Sequence, residues 1–284
     1  MLAPRQIIFT AVEGALDQPA PRSPSEVFEA LQALARRGVP VVLSSRGTRA
    51  QMEPLRRKLQ HGHPFLTESG GGLFIPDGYF NLRLEGATRA GRCFCVPFAR
   101  PHAEAAAALQ EIAAEAGASV VGFSQLSSRE IARNSGASPK EAELSRQREF
   151  SEIFFFAGET VKAPGRFSEI ARERGWEAIP GDPFWEIRAL KMQSGEPAPR
   201  YLMGIYRKSL RVRLRSVGIG SQAQDLHLLS ATDIAVVLPR RPGEFDEALM
   251  SQLPRALRGD QPGPEGWSQA IMKVLGDTLV RPAM

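Results

Sequence analysis

Cysteine is nearly absent from this chain. Among 284 residues only Cys93 and Cys95 occur, and on a strand that spacing points both thiols to one face with too little chain between them for an ordinary structural disulfide. Reduced thiols are expected. "HGH" (His61, His63) lies in a separate segment, in a loop before Pro64, and structural zinc sites usually need four ligands, so no zinc site is expected either. Long apolar runs are also missing: no stretch approaches the roughly 18 residues of a membrane span. "MLAPRQIIFTAVEG" carries no small-residue cleavage site behind its apolar core. These absences predict a cytoplasmic location and no membrane partner. There is no internal repeat and no low-complexity tract.

What is present is enough for proper cores. Hydrophobic residues make up 43% of the sequence, and its length is that of about two ordinary domains. The net charge of +5 comes largely from arginine, spread over helices such as "LRRKL" and "ARRG". The one dense basic stretch, "YRKSLRVRLRS" (206–216), lacks the interleaved aromatics of a nucleic-acid surface. It reads as a solvated helix end running into a strand, so no nucleic-acid partner is expected.

Strands and helices alternate along the chain. "RQIIFTAV" reads as a strand, "SPSEVFEALQALARRG" as a helix with a Gly stop, "VPVVLSS" as a strand and "TRAQMEPLRRKLQ" as a helix. "PFLTESGGGLFIPDG" reads as a strand and Gly-rich hairpin. Later, "YLMGIYRKS", "LRVRLRSVGIGS", "AQDLHLLSA" and "TDIAVVL" read as helix, strand, short helix and strand. That order predicts an α/β fold with a doubly wound, Rossmann-like parallel sheet. The middle differs: "AEAAAALQEIAAEAG", "SSREIARNSG" and "SPKEAELSRQREF" read as helices, followed by the strand "SEIFFFAG" and the helix "RFSEIARERGW". An α+β cap over 84–187 is therefore expected, inserted between core halves 1–83 and 188–284.

"IIFTAVEGALD" ends an apolar strand in a Gly-containing turn, the place where α/β enzymes put their chemistry, yet position 11 is Ala. Gly14, Gly218 and Gly220 are expected to let the backbone turn at this edge of the sheet.

Five segments, "IIFTAVEGAL", "SSRGTRAQMEPLRRKL", "ESGGGLFIP", "SRQREFSEIF" and "SVGIGSQAQDLHLLSATDIAVVL", match in order and spacing those of a known family. In them the chain resembles the haloacid dehalogenase superfamily of phosphatases, with a Cof-type cap of subfamily IIB, and within it the mannosyl-3-phosphoglycerate phosphatase family. That resemblance implies an Asp-x-Asp-Gly-Thr loop in which the first carboxylate attacks phosphorus and the second protonates the leaving oxygen. Those positions hold Ala11 and Glu13. An alanine methyl forms no acyl phosphate; Glu13 keeps a carboxylate for acid or base work, and Asp17 lies beyond the turn.

The resemblance further implies that Ser45, or Ser44 in its place, hydrogen-bonds a phosphoryl oxygen, although these serines equally suit a helix cap. It implies a charge-neutralising lysine near Gly195, where none stands and Lys191 is the nearest substitute. It implies a Gly-Asp-Ser-x-Asn-Asp motif whose carboxylates bind Mg²⁺; the stretch here reads "GSQAQD", with Ser221, Gln222 and Gln224, and keeps only Asp225, as either a metal ligand or a helix cap. No cofactor is expected on that incomplete set. Substrate contacts are implied at Gly47, Glu68, Arg148 and Glu152, the last two reading either as a grip on sugar or phosphate or as a plain salt bridge at helical spacing. "GDPFWE" replaces a family Arg and His with Pro183 and Glu186, which disfavours an anionic substrate.

Two functions follow from these readings. One is a pseudophosphatase that binds a phosphorylated sugar or glycerate, or a protein partner, without hydrolysis. The other is a slow phosphatase in which Glu13 assists direct water attack.

Overall fold

A computed structural model of the chain describes residues 6–16, 24–158, 163–181, 184–189 and 196–280. Its first part runs β1 (Gln6–Ala11), α1 (Pro24–Arg36), β2 (Val41–Ser44), α2 (Arg49–Lys58), β3 (Phe65–Thr67), β4 (Gly72–Pro76), β5 (Thr88–Ala90) and β6 (Cys93–Pro97). Next come α3 (His102–Ala116), β7 (Val120–Gly122), α4 (Ser128–Ser135), α5 (Pro139–Ser145), β8 (Ser151–Phe156), α6 (Ala163–Glu173), β9 (Trp176–Ile179) and β10 (Trp185–Ala189). The chain closes with α7 (Ala198–Leu210), β11 (Arg215–Gly220), α8 (Leu226–Leu229), β12 (Ile234–Val237), α9 (Glu247–Gln252), β13 (Leu257–Arg258) and α10 (Gly263–Val280).

The larger sheet has nine strands in the order β13-β12-β11-β1-β2-β3-β4-β6-β5. From β13 to β3 it is parallel, with β1 between β11 and β2. Every residue of β1 is buried because helices cover both faces. Side chains alternate between those faces. Ile8 packs in the cluster that includes Leu34 of α1 and Ile271 of α10, while Ile7, Phe9 and Ala11 pack in the one that includes Leu202 and Met203 of α7.

The strand and Gly-rich hairpin expected at 64–78 is present as β3 and β4, which pair antiparallel, and the antiparallel part continues with β4 to β6 and β5 to β6. The turn at 68–71 leaves no room for the crossover that parallel neighbours require. This turn is left-handed over three residues, with φ of 50° at Glu68, 55° at Ser69 and 87° at Gly70. Two of the three are non-glycine, a conformation kept only where surrounding contacts over-determine it.

The four-stranded sheet β7-β8-β10-β9 is antiparallel. Leu109 and Ile112 of α3 and Phe167 of α6 cover it, and Phe123, Ile131 and Ala142 form a separate small cluster beside α4 and α5. The boundary expected at 84 falls before β5 and β6, which belong to the larger sheet. Cys93–Pro97 pairs with β4 over its full length, so the chain leaves that sheet only after Pro97. At the other end β10 continues to Ala189, past the expected boundary at 187.

Candidate functional site at the strand ends and the cap junction

β1, β2 and β11 end side by side. Ala11 pairs with Ser44, and Thr10 pairs with Ile219, one residue before Gly220. Ala11, Glu13, Ser45, Ser221 and Asp225 therefore gather at the carboxyl edge of the sheet, where open α/β sheets hold their ligands. Ala11 is 2% exposed, its methyl in the apolar cluster with Phe9 and Leu228.

Glu13 faces the loop after β2. Ser45 Oγ donates to Glu13 Oε1 at 2.5 Å, and the Arg46 N–H donates to the same carboxylate at 3.1 Å and 3.2 Å. Ser45 Oγ accepts from the Gly47 N–H at 2.9 Å, so this hydroxyl is engaged on both sides. Neither Ser44 nor Ser45 caps α2. Thr48 does, in a capping box with Gln51, because it stands directly before the helix. Gly47 acts through its backbone, its carbonyl accepting from the Glu68 N–H at 3.0 Å.

Asp225 neither caps α8 with its side chain nor projects into the open. Its Oδ2 accepts from the Ser221 N–H at 2.8 Å and the Gln222 N–H at 3.0 Å, closing the loop after β11. Burial pushes its carboxyl up to about 7; the two N–H donors oppose that rise, the Glu13 charge adds to it, and Arg46 lowers it. A Cβ at Gly220 would come within 2.8 Å of the Asp225 side chain, which is why this position carries none. Gly220 and Gly218 lie inside β11 without positive φ, so only Gly14, at φ 75°, turns the chain as expected. A Cβ on Gly14 would sit 2.3 Å from Ser221 Oγ. That oxygen is buried and has no hydrogen-bond partner.

The expected helical pair of Arg148 and Glu152 does not exist. α5 ends at Ser145 and Glu152 lies on β8, so a 3.6-residue period does not apply across this stretch. Glu152 is fully buried inside the cap, where it pairs with His102 and accepts from the Ser124 N–H at 2.9 Å. The Glu68 carboxylate is likewise engaged within the protein. Its carboxylate accepts the N–H groups of Glu149, Phe150 and Ser151 at 2.7 Å, 2.9 Å and 2.9 Å, tying the β3–β4 turn to the start of β8.

Arg148 sits where cap meets core. It donates to Ser151 Oγ at 2.6 Å and to the Arg46 carbonyl at 3.1 Å, and lies 3.5 Å from Glu68 and 3.4 Å from Glu186. Ser69 Oγ donates to the second oxygen of Glu186 at 2.9 Å, and Arg188 donates to the Ser69 carbonyl at 2.7 Å. Sequence spacing pointed neither to Arg188 nor to Arg46 and carries no signal for either. Asp17, Pro183, Lys191 and Gly195 lie outside the described residues.

With this geometry the comparisons with known proteins can be placed. A glucosyl-3-phosphoglycerate/mannosyl-3-phosphoglycerate phosphatase from Methanococcoides burtonii is 27% identical over 272 residues, spanning 96% of this chain and 98% of that protein. Among solved structures, a haloacid dehalogenase-like hydrolase from Bacteroides thetaiotaomicron superposes with a TM-score of 0.62 at 16% identity, covering 95% of this chain and 99% of its own. A haloacid dehalogenase subclass IIB sugar phosphatase gives 0.61 at 16% identity, covering 95% and 99%. The chain resembles the haloacid dehalogenase phosphatases. No family model matches it. The structural neighbours establish the shared fold, a mixed sheet with an inserted cap, and the sequence relative establishes relatedness to mannosyl-3-phosphoglycerate phosphatase.

The resembled family implies Mg²⁺, a hard ion that demands a near-octahedral shell of oxygens. At this edge the Glu13 carboxylate is held by Ser45 and Arg46, and the Asp225 carboxyl is buried on two backbone donors with its proton affinity raised. Among the described residues no group of three His, Cys, Asp or Glu side chains converges to hold a metal. The donor set does not fit the ion.

Proposed function

We propose that this protein keeps a phosphatase fold without phosphatase turnover and acts in the cytoplasm as a ligand-sensing or partner subunit. The ligand class is a phosphorylated sugar or glycerate, the chemistry printed in the name of its Methanococcoides burtonii relative. One observation carries the reading: the side chain at the nucleophile position is a buried methyl, Ala11, packed among apolar neighbours. A covalent phosphoryl route needs an attacking carboxylate there, and loss of one nucleophile from a comparable enzyme costs on the order of 10⁶ in rate.

The hydrogen bonds of Glu13 also support this reading over slow hydrolysis by water. A general base must reach the water it activates, whereas Glu13 accepts from Ser45 Oγ and from the Arg46 backbone. The test is phosphate release from a panel containing glucosyl- and mannosyl-3-phosphoglycerate, sugar phosphates and phosphoglycerates, with Mg²⁺ present. No release above background is expected. Release that disappears in Glu13→Gln would instead establish the water-attack route.

A further inference from the structure

Three loops converge beside Ser221. They are the Gly14 turn after β1, Ser221 and Gln222 after β11, and the segment after β12 that carries Arg240, Arg241 and Glu244, together lining a cavity of about 290 Å³. The third loop is fixed in shape. The Arg240 N–H donates to the Glu244 carbonyl at 2.7 Å, the Glu244 N–H donates to the Arg241 carbonyl at 2.9 Å, and Gly243 takes φ 78° to close the turn.

We propose that this cavity is an anion site for the phosphate group of a small phosphate monoester. Ser221 Oγ would donate to it from the floor and the guanidinium groups of Arg240 and Arg241 would neutralise it from the rim. The proposal deepens the ligand-binding function above and rests on it only for the ligand class.

The charge pattern favours an anion. Arg241 lies 4.0 Å from Glu244 and Arg240 3.8 Å from Asp246, both at the outer limit of an ion pair, and both arginine side chains are more than half exposed. Such pairs are weak, so both cations remain available to a ligand that offers paired oxygens. Ser221 supplies the independent sign. The residue lines this cavity, and its hydroxyl is buried just behind the wall with no protein partner, an arrangement that folded proteins rarely tolerate without use.

Arg148 at the cap junction offers no comparable site, since Glu68 and Glu186 already flank it. The volume lies at the small end of ligand pockets, which suits a phosphate with a short polyol or acid attached.

Calorimetric titration of the full chain with inorganic phosphate and with glycerol 3-phosphate, at low ionic strength, tests the site. Saturable binding is expected, weakened about tenfold or more in Arg240→Gln/Arg241→Gln and about threefold in Ser221→Ala. Glu244→Gln removes the competing carboxylate and is expected to tighten binding about threefold. Absence of saturable binding to the wild-type protein, or unchanged affinity in a double arginine variant with wild-type melting temperature, would overturn the site. Phosphate release is followed on the same samples. Release together with arginine-dependent binding supports the site and ends the non-hydrolytic reading. Neither release nor binding ends the site and leaves that reading standing.

Discussion

The junction between cap and core and the edge of the larger sheet lie next to each other and differ in how their buried charged groups are answered. At the junction Glu68 answers three backbone N–H groups, Arg148 lies between two carboxylates, and both oxygens of Glu186 have partners. At the edge Ser221 Oγ is buried without a partner and Asp225 holds a carboxyl pushed up to about 7 by burial. Satisfied networks fix a structure, so the junction is a structural clasp, although Thr67 Oγ1 before its turn is also buried without a partner. The edge, where Ser221 borders a cavity, is where the proposed anion site lies.

The contrast is most exposed to failure at Glu68. Glu68→Ala strands the N–H groups of Glu149, Phe150 and Ser151 and removes one of the two carboxylates beside the buried Arg148 guanidinium, and is expected to cost about 3–5 kcal/mol in urea unfolding. A loss below about 1 kcal/mol would mean that the clasp does not hold the fold. Glu186→Ala is expected to cost less, about 1–3 kcal/mol, because Arg148 keeps Glu68 and Ser151 as partners. Hydrogen exchange should speed up at Ser69 and at 148–151 in that variant and remain unchanged at β11.

The smallest effect is a pH dependence at the edge. Asp225 has a raised folded value of about 7, so its stabilisation is complete below the unfolded carboxyl range and is lost as pH rises toward 7. Burial, with the nearby Arg188, lowers His227 to about 4, so its contribution is complete above about pH 6.5 and is lost as pH falls toward 4. Burial also lowers His61 to about 3 and lowers His63, and both slope the same way as His227, so Asp225 opposes a wild-type stability that rises with pH. Asp225→Asn removes that opposition: between pH 4 and 7 its stability should rise more steeply than the wild type's, by about 1–2 kcal/mol. A rise no steeper than the wild type's would contradict the assignment.

Much of this was legible in the sequence. The apolar run of β1, the Gly stops of helices and the alternation of elements predicted the α/β core, because each rests on local periodicity. β5 and β6 escaped: they are short and partly exposed, and their place in the larger sheet comes from pairing with β4, which local pattern does not encode. The site divides along the same line. Positions 11, 13, 45, 221 and 225 could be placed because the resemblance aligns its motifs with the ends of periodic strands. The partnership of Glu68, Arg148 and Glu186 could not, since it joins residues more than thirty positions apart. Reading Arg148 with Glu152 as a helical pair failed because the helix stops at Ser145. Arg240 and Arg241 appear in sequence only as "PRRPG", and nothing in that spacing says they face Ser221.

The central claim is that the edge has lost its hydrolytic parts as a unit rather than as one residue. Attack, charge neutralisation and leaving-group protonation act together, and restoring one leaves the others missing. The most direct test is phosphate release by Ala11→Asp, with Mg²⁺, on the same panel of phosphate esters, beside the wild type and Ala11→Asp/Ser221→Asp. The account predicts no turnover from the wild type and none from Ala11→Asp alone. Turnover above about 0.1 s⁻¹, a tenth of the low end of ordinary enzymes, by either of those two proteins would contradict it.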